Sequence, residues 1–164
     1  MFRLSILVVF LLLASSMCFA QEGVNEVNYE EIGLKYTIPQ GWTGQNFESG
    51  VFFTSDVESA MIVVSLVKAE KFAGMKEEMA QPYTQENMEL LPVGELIHYG
   101  AHGAFMDYEG VFQGNDSKAC IGSIYKPGKY GITIFATATA EEWTEEIRNS
   151  ALLIIESVEF SDTE

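Results

Sequence analysis

Residues 95–139 read ELIHYGAHGAFMDYEGVFQGNDSKACIGSIYKPGKYGITIFATAT, and the punctuation of this stretch decides the fold. Runs of β-formers alternate with short turn signals, so strands are expected at 95–99, 103–113, 116–125 and 130–139. Gly114-Asn115 is a two-residue hairpin signal with glycine first. Lys126-Pro127-Gly128-Lys129 places proline and glycine in the middle of a second turn. Strands joined by loops this short must pair antiparallel. The stretch therefore predicts a four-stranded meander.

Upstream of it, residues 60–67 (AMIVVSLV) are almost continuously apolar, which marks a central strand covered on both faces. Shorter strands are expected at 33–38, 43–47 and 51–54, the first closed by the turn Pro39-Gln40-Gly41-Trp42. Leu91-Pro92-Val93-Gly94 reads as another turn, with proline in its second position. Two segments change period. Phe72, Met75, Met79 and Tyr83 form a stripe that predicts a helix over 70–86, kinked or broken near Pro82. Thr139 and Glu142 stand at capping-box spacing ahead of Trp143, Ile147, Ala151 and Ile154/Ile155, which predicts a helix over 140–155. On that reading Trp143→Ala costs about 3–5 kcal/mol. A last short strand follows at 157–160. The fold class is α+β: an antiparallel sheet of about six or seven strands flanked by helices, in an α/β/α sandwich-like arrangement.

The N-terminus supplies an address. Residues 1–20 (MFRLSILVVFLLLASSMCFA) have a charged start at Arg3, an apolar run from Leu4 to Ala14 and a small-residue tail ending at Ala20. That is the three-part layout of a secretory signal peptide with cleavage after Ala20. The apolar run is shorter than the roughly 20 residues a spanning helix needs. Met17 stands where a lipobox requires a small residue, which disfavours a lipid anchor at Cys18. Removal of residues 1–20 leaves 144 residues and, by taking away Arg3 and no acid, moves the formal charge from −15 to −16. The expected layout is a signal peptide at 1–20, a flexible entry segment at 21–32, one domain at 33–160 and a tail at 161–164. The protein is expected to be exported, soluble in the periplasm or outside the cell, with no stable membrane insertion after cleavage.

Charge and motifs narrow the chemistry. Lys+Arg 9 against Asp+Glu 24 excludes a nucleic-acid partner, because a phosphate backbone is held mainly by lysine and arginine. Cleavage leaves Cys120 without an internal partner, and its β-like surroundings suit a small buried hydrophobe. There is no phosphate-binding glycine loop, nucleophile elbow or calcium loop, so no catalytic residue and no cofactor are expected. A metal would have to use His98 and His102 with Asp107 and Glu109. Gly100 and Gly103 argue against the helix that would bring the histidines together. In a strand the two lie about 13 Å apart, at ~3.3 Å per residue, and a structural zinc site usually needs four ligands. Asn115-Asp116-Ser117 matches the N-glycosylation pattern in an accessible turn.

Tyr36-Thr37-Ile38-Pro39-Gln40-Gly41-Trp42 resembles the Y-x-(I/L/F)-P-x-G-W opening of the PsbP-like superfamily. That group includes the extrinsic photosystem II protein, a yeast Ran-binding regulator and DcrB-like bacterial envelope proteins. Residues 151–160 resemble the family's ending, a helix running into S-(V/F)-x-F, and 108–114 resemble uncharacterised exported bacterial proteins of this architecture. The fold motif thus rests on Tyr36, Pro39, Gly41, Trp42 and Trp143. The resemblance implies an antiparallel sheet with helices on both sides and a binding or assembly role, and it carries over no catalytic or partner-binding residue. The functional expectation is an exported, non-enzymatic binding or accessory protein of the cell envelope, its partner an unknown protein or envelope component. The alternatives are a small metal-dependent hydrolase built on His98, His102 and nearby carboxylates, and a structural envelope-assembly protein.

Overall fold

A computed structural model describes residues 26–161; the expected signal peptide, its cleavage point and Cys18 lie outside them. In chain order the strands are β1 (Glu26–Tyr29), β2 (Leu34–Thr37), β3 (Thr43–Phe47), β4 (Gly50–Thr54) and β5 (Met61–Lys68). A short helix α1 (Met75–Met79) precedes β6 (Tyr83–Gln85), β7 (Met88–Tyr99), β8 (Gly103–Phe112), β9 (Asn115–Tyr125) and β10 (Tyr130–Thr139). The chain then forms α2 (Glu145–Glu156) and β11 (Glu159–Phe160). An eight-stranded sheet runs β3-β4-β5-β10-β9-β8-β7-β6, and a second sheet of three strands runs β1-β2-β11. The α+β class holds, with more strands than expected and with two sheets in place of one.

The meander pairs antiparallel throughout, and β5 lies against β10 in the same sheet, as its apolar run requires. Every residue of β10 from Gly131 to Ala138 is buried. Side chains alternate across a strand, so the sheet has two apolar faces. Ile132, Ile134 and Ala136 join Ile62, Val64, Phe105 and Cys120 under Ala151, Ile154 and Ile155 of α2. Phe135 turns the other way, with Ala119, Ile121, Met106 and Tyr108, to meet Phe72, Met75 and Met79. Gly122 lies beneath α2. A Cβ there would stand 3.1 Å from both Ile155 and Phe105, so glycine permits the helix's close approach.

Several local expectations change. The β8–β9 hairpin turns one residue early, at Gln113 (φ 51°) and Gly114 (φ 82°), with Phe112 opposite Asn115. Two successive left-handed residues match the twist of paired strands, which is why this turn type is favoured. Residues 91–94 are not a turn. They continue β7, whose register to β8 shifts between Val93 and Ile97 around the left-handed Gly94 (φ 80°). Pro92 is tolerated because β6 pairs only as far as Leu90, so β7 is an edge strand beyond that point.

The helix expected over 70–86 is a 3-10 turn at Ala69–Phe72 followed by five residues of α1. Gly74 disfavours helix between them, and Pro82 removes a donor from any continuation. The apolar stripe still docks, and the Tyr108 hydroxyl donates to the Met79 carbonyl at 2.6 Å to hold the end of α1. The second helix begins at Glu145 rather than 140. Its cap is Thr144, whose Oγ1 accepts the Ile147 amide at 3.3 Å. Thr139 and Glu142 form a turn instead, with the Glu142 and Trp143 amides donating to the Thr139 carbonyl.

Residues 26–32, expected to be a loose entry segment, form β1 and a 3-10 turn. β2 lies between β1 and β11, and Lys35 sits 3.5 Å from Glu26 and 3.1 Å from Glu159 on those flanking strands. These ion pairs link the three strands at the surface, where solvent screening keeps such pairs weak. Leu34 and Tyr36 are buried in the same core as α2.

Trp143 therefore precedes its helix and is only partly buried, beside Ala60, Ala138 and Ile147. Ile154 is fully buried at the centre of the helix face. In urea denaturation Ile154→Ala should cost about 2–5 kcal/mol and Trp143→Ala only about 1–3 kcal/mol, since less of its surface leaves water. An equal or larger loss at Trp143 would make it, not the α2 stripe, the helix's anchor.

Candidate functional site

The structure does not gather the four candidate metal ligands. His98 is exposed on β7 opposite Ala104. His102 lies in the β7–β8 turn with its ring 5.0 Å from that of Tyr125, which in turn stacks on Phe72 at 4.7 Å. Asp107 and Glu109 share a face of β8, as expected, yet each is taken by a cation. Arg148 of α2 grips Asp107 in a fork, Nε donating to Oδ1 and Nη2 to Oδ2, both at 2.8 Å. Lys118 on β9 lies 3.1 Å from Glu109, its cross-strand neighbour. Among the described residues no group of three or more His, Cys, Asp or Glu is placed to hold a metal ion.

Arg148 also stands over the Phe105 ring, 5.3 Å from its centroid. Its pKa is raised, first by the hydrogen bonds to Asp107. Cys120 is opposite Asp107 in the β8–β9 register and buried. Burial pushes its thiol pKa up, and the Asp107 carboxylate adds to that, so the thiolate needed for reaction is suppressed. Tyr36 of the fold motif is likewise held protonated by burial. The motif's other members make a joint. Pro39 is buried, Gly41 takes the turn at φ 80°, and the Trp42 indole donates to Ser150 of α2 at 2.9 Å.

What remains open is a surface. α2 packs mainly over β9, β10 and β2. It reaches β8 through Arg148 on Asp107 and Phe105, and the outer part of the β7–β8 flank stays exposed at Leu91, Val93, Ile97 and Val111. The register places Leu91 opposite Glu109, Val93 opposite Asp107, Ile97 opposite Phe105 and Glu89 opposite Val111, so all eight share the α2 face. Leu91 is 52% exposed, Val93 41%, Ile97 37% and Val111 41%. Large apolar side chains in one strip, beside a helix pinned by Arg148, form the best candidate for a binding surface. Reading 91–94 as a turn hid this strip. The available signal was the spacing of Leu91 and Val93, two apart, with Val111 on the neighbouring strand.

A second feature is a cleft of about 470 Å³ at the β9–β10 hairpin, lined by Lys68, Glu70, Tyr125, Lys129 and Tyr130 among others. Its charges are of both signs. Asn115 is exposed at the start of β9, where a glycan would have room.

No protein-family profile and no curated protein matches the sequence. Solved structures do match in shape. Mog1p, the Ran-binding protein of Saccharomyces cerevisiae, superposes with a TM-score of 0.54 at 7% identity, over 82% of this chain and 94% of its own. CyanoP, the cyanobacterial PsbP of Synechocystis sp. PCC 6803, gives 0.53 at 13% identity, over 91% and 99%. The chain shares the fold of these two proteins. LpqN, involved in cell envelope biogenesis of Mycobacterium tuberculosis, gives 0.53 at 14% identity, over 79% and 83%. The resemblance read from residues 36–42 and 151–160 is thus met at the level of fold.

The Arg148–Asp107 fork fastens α2 to the flank it leaves open. The two side chains are 20% and 32% exposed, so solvent screening limits the pair. A double-mutant cycle with Arg148→Met and Asp107→Ala, read by urea denaturation, should give a coupling of about 1–2 kcal/mol. A coupling near zero would mean that the fork adds nothing to the hold on α2.

Proposed function

We propose that this chain is an exported, non-enzymatic accessory protein of the cell envelope that works by binding a partner protein at the open β7–β8 flank. The observation that carries this reading is the strip of exposed Leu91, Val93, Ile97 and Val111 on the same sheet face that buries Ile62, Val64, Ile132 and Ile134 under α2. Export is supported by the three-part layout of residues 1–20. Among the described residues no helix is long and apolar enough to cross a membrane, in keeping with a periplasmic or extracellular protein free of the bilayer after cleavage. Two proteins of the same fold, one involved in cell envelope biogenesis and one Ran-binding, lend the accessory role support by analogy. Fold alone does not carry it.

The test is made in the producing cell. A photo-crosslinking residue at Leu91, with a second at Leu153 as an exposed control elsewhere, should trap a partner from the first position only. The trapped chain should begin at Gln21. A full-length chain in the cytoplasm would contradict export, and no adduct from Leu91 beyond that from Leu153 would contradict docking at the flank.

A further inference from the structure

We propose that the occupant of the β7–β8 flank is a cationic amphipathic helix of the partner protein, seated on the sheet's face and not added to its edge. This rests on the reading of the flank as a docking surface and goes on to name what docks.

The edge is closed to strand addition. β7 runs beyond β6 from Leu91 to Tyr99, but Pro92 offers no amide and the left-handed Gly94 breaks the register. Proline and a bulge on an edge are the features that block a further strand. An incoming segment must therefore bind through side chains. From Leu91 to Ile97 the strip spans roughly 15–20 Å at ~3.3 Å per residue. About three turns of helix cover that length at 1.5 Å per residue, with apolar anchors at i, i+3/i+4 and i+7.

Charge selects the sign of the partner. Arg148 and Lys118, the cations beside the strip, are already paired with Asp107 and Glu109. Among the described residues, three exposed acids around them face no cation at ion-pair distance. Glu89 faces Val111 across the strands, Glu95 lies in the bulge, and Glu156 accepts from Tyr99 at 3.3 Å. A second copy of the mature chain would bring an equal formal charge, −16 once Arg3 is removed from the −15 of the full chain, and the same acidic rim against this one. Like charges facing across an interface oppose association. A helix with lysine or arginine flanking its apolar stripe satisfies both the strip and its rim.

The test uses the mature chain and three synthetic peptides of about four turns each, at near-physiological salt to screen diffuse attraction. One has a leucine stripe with lysines elsewhere. The second replaces the lysines with glutamates. The third scrambles the first so that no apolar face forms. The leucine/lysine helix should bind about tenfold or more tighter than either control. Leu91→Ser with Val93→Ser should lower its affinity about tenfold, and Glu89→Gln with Glu95→Gln about threefold. Phe47→Ser with Leu153→Ser, exposed apolar positions elsewhere, should leave it within about twofold. All these positions are exposed, and unchanged thermal unfolding of each variant shows that the fold is kept.

Equal binding of the scrambled peptide would reduce the effect to bulk charge and overturn the proposal, as would equal binding of the glutamate peptide. Full affinity after Leu91→Ser with Val93→Ser would place the site elsewhere. A dimer in sedimentation that Leu91→Ser dissolves would assign the strip to a second copy. Failure of the peptides together with crosslinking at Leu91 in cells would sink the helix but leave the docking surface standing.

Discussion

β10 is buried along eight consecutive residues, and the rest of the molecule is arranged to cover its two sides. A strand with Ile132 and Ile134 on one face and Phe135 on the other cannot remain at a surface, since each large apolar side chain left in water forgoes about 1.5–3 kcal/mol. One cover is the 3-10 turn and α1, brought by Phe72, Met75 and Met79. The other is α2, laid over Gly122 and fastened at its far side to Asp107. Coverage by α2 is incomplete. The helix is one element wide and the sheet is eight strands wide, so Leu91, Val93, Ile97 and Val111 stay exposed at the outer part of that face. The candidate binding surface follows from this mismatch.

The chain's two ends hold α2 in place. The two segments whose sequences resemble the superfamily's opening and ending meet in space. The Thr37 amide donates to the Ser157 hydroxyl at 2.9 Å, and Trp42 reaches Ser150. β11 pairs with β2, and the Ser161 amide donates to the Gly33 carbonyl at 2.8 Å. The motifs are structural because they form a clasp. The turn at Gly41 aims Trp42 at α2, and the helix's exit delivers β11 to the small sheet. Three structures share this fold at 14% identity or below, so the fold as a whole demands little of the sequence.

Much of the fold was legible because period and punctuation are local. The 130–139 run, the 60–67 run and the α2 stripe each announce themselves through burial on one or both faces. The failures have a common cause in tertiary context. Pro92 and Gly94 carry turn chemistry, yet an edge position lets a strand pass through both. The 70–86 stripe has helical spacing, but only Phe72, Met75 and Met79 needed to reach the core, and β6 could begin as soon as Pro82 ended the turn. β1 was unreadable because it exists by pairing with β2, which no reading of residues 21–32 alone reveals. The acidic pair Asp107 and Glu109 looked available for a metal. Their cations lie 41 residues away on α2 and across the β8–β9 hairpin, the first beyond the range of local pattern.

Native-state hydrogen exchange tests the coupling of cover and clasp most directly. If the two ends of the chain hold α2 on the sheet, amides of α2 and β2 should open in one subglobal event, with the same free energy and denaturant dependence. Those of β5, β9 and β10 should exchange only through global unfolding. Free exchange of β2 amides while α2 stays protected would contradict the account, because it would show the helix held by its apolar face without the clasp.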